Sequence, residues 1–150
     1  MKIMYKVWAG DSLPDRDLYQ SERDLRRLRL RSHLGPDTDV EIFPGEDTSQ
    51  TMHVSAIYHD RIIGCCLFKL SDLERLTGRL FQMAVHADHV GNGIGTGLVH
   101  TLEKYLSNEY DGEVRIELHA REDAIGFYKK LGYNIIPNTE PFIEIGNITL

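Results

Sequence analysis

Apolar and polar positions change period several times along the chain, and each change marks an element. Met4 to Ala9 alternates, Tyr5 and Val7 against Met4, Lys6 and Trp8, and Gly10-Asp11-Ser12 ends it, which predicts a first strand. Leu18 to Ser32 predicts a helix with Leu25, Leu28 and Leu18 turned inward and Gly35-Pro36 as its stop. Asp37 to Gln50 is rich in Asp, Glu, Pro, Gly, Ser and Thr and predicts a mobile loop. His53 to Tyr58 and Ile62 to Leu70 predict a hairpin across His59-Asp60-Arg61. Ser71 to Gly78 predicts a polar connection containing a helical turn. Leu80 to Val85 is almost continuously apolar and predicts a central strand.

In the second half the period lengthens. Ile94, Leu98, Leu102 and Tyr105, with Val99 and Leu106, recur at helical spacing, and Asn108 to Gly112 closes that helix. Val114 to His119 sets Val114, Ile116 and Leu118 against Arg115, Glu117 and His119, which predicts a strand with one polar face. Asp123 to Leu131 predicts a short helix with Ala124, Phe127, Tyr128 and Leu131 on one face and Gly132 as its C-terminal cap. Ile135-Ile136 begins a last strand, and Phe142 to Ile145 is a candidate for another. Strands alternating with helices predict an α/β chain. There is no internal repeat, low-complexity segment or linker, so residues 1–150 are expected to form one domain, burying roughly two thirds of its unfolded surface.

Charge and composition remove several classes of function. A formal net charge of -6 argues against a non-specific nucleic-acid binder and weakly favours cationic substrates. Arg23, Arg26, Arg27, Arg29 and Arg31 are expected on a solvated helix face beside Glu22 and Asp24. No apolar run approaches the ~20 residues of a membrane span, and Met1-Lys2-Ile3-Met4-Tyr5-Lys6 lacks a signal-peptide core, so the default expectation is cytoplasmic. Cys65 and Cys66 are expected as two reduced thiols in a strand, with no second pair to suggest a metal.

The most informative stretch joins the apolar strand Leu80–Val85 to Val90-Gly91-Asn92-Gly93-Ile94-Gly95-Thr96-Gly97 and then to the long helix. A helix N-terminus presents unpaired N–H groups and the positive end of the helix dipole, and glycines admit a phosphate without a Cβ in the way. The Walker loop is excluded, since no lysine lies between His86 and Leu102. The dinucleotide fingerprint fails too, because its sixth position falls on Thr96 or Leu98.

The remaining match is a resemblance to the Gcn5-related N-acetyltransferases (GNAT). Val90-Gly91-Asn92-Gly93-Ile94-Gly95 is similar to that family's pyrophosphate loop, Arg/Gln-x-x-Gly-x-Gly/Ala, from its third residue on. Leu80-Phe81-Gln82-Met83-Ala84-Val85 resembles the family strand before the loop. Ala124-Ile125-Gly126-Phe127-Tyr128-Lys129-Lys130-Leu131-Gly132-Tyr133 resembles the family's second signature, in the same order and at the same spacing. Leu25-Arg26 through Leu34-Gly35 and Phe142 to Gly146 look like one bacterial branch. The chain departs at Val90, where a polar residue is usual, at Arg121, where many members have Asn, and in its tail Gly146-Asn147-Ile148-Thr149-Leu150.

The resemblance implies a single-domain acyl-CoA N-acyltransferase fold, with a mixed central sheet and helices on both faces. It implies acetyl-CoA as cosubstrate, a primary amine of a small molecule or peptide as acceptor, and no metal. Partners would be acetyl-CoA and the amine, with neither nucleic acid nor membrane, and a homodimer stays open. Cofactor contacts would come from Met83, Ala84, Val85, Val90, Gly91, Asn92, Gly93, Ile94, Gly95, Thr96, Arg121 and Phe127. Tyr128 would protonate the leaving thiolate, although its spacing alone favours a core aromatic. His119 is the candidate base, with Glu117, His86 and a water relay as alternatives, because imidazoles titrate near neutrality. Two rivals remain: a CoA-binding regulatory module without turnover, and a nucleotide-binding regulatory domain using the same loop.

Overall fold

The computed structural model describes residues 2–31, 45–137 and 143–149. Among them the chain forms β1 (Met4–Ala9), α1 (Arg16–Arg26), β2 (Thr51–Tyr58), β3 (Arg61–Asp72), β4 (Thr77–Val85), α2 (Ile94–Glu109), β5 (Val114–Ala120), α3 (Ile125–Lys130), β6 (Asn134–Ile135) and β7 (Ile143–Thr149). These strands make one mixed sheet, ordered β1-β2-β3-β4-β5-β7-β6. Neighbours are antiparallel except β4 and β5, which run parallel and are connected through α2. The expected Gly35-Pro36 stop, the loop from Asp37 to Pro44 and Phe142 lie outside the described residues.

Local chemistry explains most boundaries. Asp15 caps α1 by accepting a 3.0 Å hydrogen bond from the Leu18 N–H. The β2–β3 hairpin turns on His59 and Asp60, both at positive φ (49° and 58°), the backbone twist that tight two-residue hairpin turns require. Two expectations change. Ser71 to Gly78 is not a helical turn: β3 runs on to Asp72, β4 starts at Thr77, and a turn with Leu76 at φ 49° joins them. Leu28 is 55% exposed instead of inward, because α1 continues into a wider π-type turn, Arg27–Arg31, that shifts the helical phase. Leu30 packs on the core in its place.

Helices cover both faces of the sheet. On one, Ile94, Leu98, Val99, Leu102 and Leu106 of α2 pack with Val54, Cys66, Phe68, Leu80, Val114, Ile116 and Leu118. On the other, Leu25 of α1 packs with Ile62, Cys65 and Ala84. Double coverage explains why β3 is buried almost continuously and why both cysteines are buried free thiols. Burial pushes both thiols up from their ordinary pKa, so they stay neutral.

The arginine run is not uniformly solvated. Arg26 and Glu22 are buried, at 0% and 1% exposure. Two charges can be held there because Arg26 pairs with Glu46 and Glu22, which replaces the lost hydration.

Candidate active site

β4 and β5 pair only over Thr77–Arg79 and Arg115–Glu117 and then separate. Separation leaves the far half of β4 without a strand on that side, and the gap opens as two clefts that both reach Met83. β4 is also irregular here. Its register against β3 shifts between Cys65 and Leu67, and Gln82 takes φ 54°, a left-handed conformation that costs a non-glycine residue energy. Such a bulge re-aims the strand at the point where it leaves β5.

The first cleft, about 390 Å³, is built by the glycine loop. Val90, Gly91, Gly93, Ile94, Gly95 and Thr96 line it with Met83, Val85, His89 and Phe127. Its glycines divide by task. Gly91 and Gly93 take φ 88° and 76°, and a Cβ on either would meet nothing within 4 Å. They therefore shape the loop and leave open space above it. A Cβ on Gly95 would come within 3.0 Å of the Phe127 ring, and one on Gly97 within 2.3 Å of the Tyr5 hydroxyl oxygen. Those two permit close packing of α2. Gly93 is the N-cap of α2 with no side-chain cap, so the first-turn N–H groups face the cleft end of the helix.

The second cleft, about 380 Å³, is lined by Leu80, Phe81, Gln82 and Met83 of β4, Leu118, His119 and Ala120 of β5, and Arg121, Asp123, Ala124, Tyr128 and Leu30. Tyr128 is 5% exposed, with its ring edge-on to Phe127 and Tyr133 at 4.9 and 5.8 Å. It is thus both a packed aromatic and part of the cleft wall. Burial raises its phenol pKa, and the nearby Cys66 adds to the effect, so the hydroxyl keeps its proton.

The structure gathers ten of the twelve expected cofactor residues and both expected catalytic residues around the clefts. Ala84 and Asn92 line neither: Ala84 turns its side chain to α1, and Asn92 is exposed. Of the alternative bases, Glu117 accepts a 2.8 Å bond from Arg115, and His86 Nδ1 accepts one from the Asp88 N–H at 3.1 Å. Neither lines the second cleft. Leu30, Gln82, His89 and Asp123 were not singled out from sequence. Only Gln82 carried a signal, as the one polar residue in an apolar strand.

A mixed sheet that splays beside a helix N-terminus, with a packed tyrosine in the opening, defines the acyl-CoA N-acyltransferase fold. The Acetyltransferase (GNAT) family profile matches residues 16–133, and the chain belongs to that family of acyltransferases. Among solved structures it is similar to ElaA from Escherichia coli (TM-score 0.77, 16% identity, covering 97% of this chain and 99% of that one). It is also similar to an acyl-CoA N-acyltransferase from Pseudomonas aeruginosa (0.75, 16%, 97% and 99%). An aminoglycoside 6′-N-acetyltransferase complexed with coenzyme A matches at TM-score 0.71 and 20% identity, with 97% of each chain covered.

Proposed function

We propose that this chain is an N-acetyltransferase that takes an acetyl group from acetyl-CoA and passes it to a primary amine. The observation that supports this best is the opening between β4 and β5, with the glycine loop at one end and Tyr128 in its wall. The open space over Gly91 and Gly93 fits a phosphate group, since neither residue has a Cβ to fill it and the helix N–H groups lie beside it. Acetyl-CoA would supply an activated thioester.

The chain's own residues would do the rest. N–H groups of Gly91 to Thr96 would hold the pyrophosphate. Ile94, Met83 and Phe127 would provide the apolar wall beside it. A main-chain N–H within Met83 to Val85, past the end of the β4–β5 ladder, would donate to the thioester oxygen as charge develops there. Arg121 at the rim would add a positive charge. Tyr128 would act as a donor, because its buried hydroxyl stays protonated, and would deliver that proton to the leaving thiolate. His119, in the same cleft as Gln82 and Asp123, is the residue assigned to relieve the amine of its proton. The negative net charge favours a cationic acceptor, and an aminoglycoside is a sensible first probe given the acetyltransferase of similar fold.

Calorimetry with coenzyme A tests the cofactor half. Gly93→Asp would place a carboxylate in the space beside the α2 N-terminus. Affinity should fall at least about tenfold, the scale of one lost charge-favourable contact, with helix content unchanged. Unchanged affinity in a folded variant would sink the assignment.

A further inference from the structure

On its α1 face β2 presents Thr51, His53 and Ser55, all fully buried. An alternating strand of this kind ordinarily turns its polar residues to water. Here His53 meets Glu22 of α1 and the main chain of Glu46, in the turn that leads into β2, while Thr51 donates to the Gly45 carbonyl at 2.8 Å. Arg26 donates from both terminal nitrogens to Glu46, at 3.1 and 2.5 Å, and its Nη2 lies 3.5 Å from Glu22. Tyr19 donates to Glu46 at 2.7 Å.

His53 sits at the centre with an acceptor on each side. Its Nδ1 is 3.1 Å from both carboxylate oxygens of Glu22, and its Nε2 is 2.7 Å from the main-chain oxygen of Glu46. A neutral imidazole has one donor and one acceptor nitrogen, so it cannot satisfy two acceptors; the imidazolium can. A protonated Glu22 would satisfy Nδ1 through a single O–H. That arrangement would favour one oxygen, whereas the two oxygens are equidistant and one also faces Arg26. Charge balance agrees. Two carboxylates against one guanidinium leave a net negative charge in a dry site, and a second cation cancels it.

We propose that His53 is held as a buried imidazolium and is a positioning residue: its charge fixes the end of α1 and so the turn after it, whose Leu30 lines the second cleft. Arg26 lies one turn before Leu30, which lines that cleft. The link to acceptor binding rests on the acetyltransfer reading, but the charge state does not. Burial alone would lower the pKa of His53, yet the Glu22 hydrogen bond and charge, with the Glu46 carbonyl, raise it overall. The groups facing it are Tyr19, Glu22 and Arg26 from α1 and Glu46 from the turn, and the Cys65 thiol of β3 lies beside Glu22 and Arg26. Its cross-strand neighbours, Trp8 and Leu67, do not titrate.

Because the folded pKa is raised, the stabilisation is complete below about 6.5, the ordinary unfolded value. It fades as pH rises through the folded value. Nitrogen-15 NMR of the full chain across pH reads the proton directly. At pH 7, above the ordinary imidazole value of about 6.5, the doubly protonated ring of His53 should predominate, and a mainly neutral signature there would overturn the proposal. Amide exchange, corrected for its intrinsic pH dependence, reads the positioning. Protection of Leu25 to Leu30 should fall at least about tenfold as His53 deprotonates, and should lose that pH dependence in His53→Gln. Protection indifferent to the His53 titration would overturn the positioning role even if the variant fails to fold. Coenzyme A added to the same sample separates the two readings: failure to bind would count against the acetyltransferase and leave the His53 result standing.

Discussion

In the proposed reaction Tyr128 is assigned more chemistry than any other side chain of the opening. Its ring is fixed by Phe127 and Tyr133, so Tyr128→Phe removes a hydroxyl and leaves the packing. If the hydroxyl protonates the thiolate, turnover should fall about 10²–10⁴-fold with coenzyme A affinity nearly intact. Steady-state kinetics where chemistry limits the rate decides this, and wild-type turnover in the variant would remove Tyr128 from the mechanism. The raised pKa has a consequence for pH. An acid is active while protonated, so loss of the Tyr128 proton should place no alkaline limb on the rate below about pH 10, the ordinary phenol value. At this scale sequence was informative where a residue type is rare. Glycines at a helix start and a tyrosine in a recognisable signature stood out, whereas Leu30 was one leucine in an alternating Arg-Leu run.

Elements were legible where one period runs long enough. The boundaries of β1 and the start of α2 agree with the hydrophobic pattern, and the parallel pairing of β4 with β5 follows from their connection through a helix. What failed was phase and extent. A π-type turn rotates everything after Arg27, which no fixed helical period anticipates, so Leu28 and Leu30 exchange roles. The β3–β4 hairpin ends in polar residues because its tip is exposed, and polarity there hides the strand. The glycine motif also serves two purposes, and Gly97→Ala separates them. Alanine gains about 1 kcal/mol of helix propensity, but a Cβ against Tyr5 costs about 1–3 kcal/mol. Net stability should fall by up to about 2 kcal/mol in urea unfolding while coenzyme A affinity is retained. A large loss of affinity instead would place Gly97 with the ligand.

For the whole molecule, the buried charges between α1 and β2 were the least legible feature. Glu22, Arg26, Glu46 and His53 come from three segments, and each looks like a surface residue in its own neighbourhood. Only the fold brings them together. Removing one member leaves the others buried without balance, so Arg26→Ala should cost about 3–5 kcal/mol in chemical denaturation. A cost below about 1 kcal/mol, typical of exposed pairs, would mean water reaches the site. Leu30, one turn after Arg26, lines the second cleft, and the glycine loop lines the first. The opening is proposed to transfer an acetyl group. The direct measurement is thiol release from acetyl-CoA by the full chain across a panel of primary amines, aminoglycosides included. Amine-dependent release, saturable in both partners and matched by the acetylated amine in mass spectrometry, is the predicted result. Coenzyme A binding with no amine-dependent release across the panel would contradict it and favour a regulatory module of the same fold.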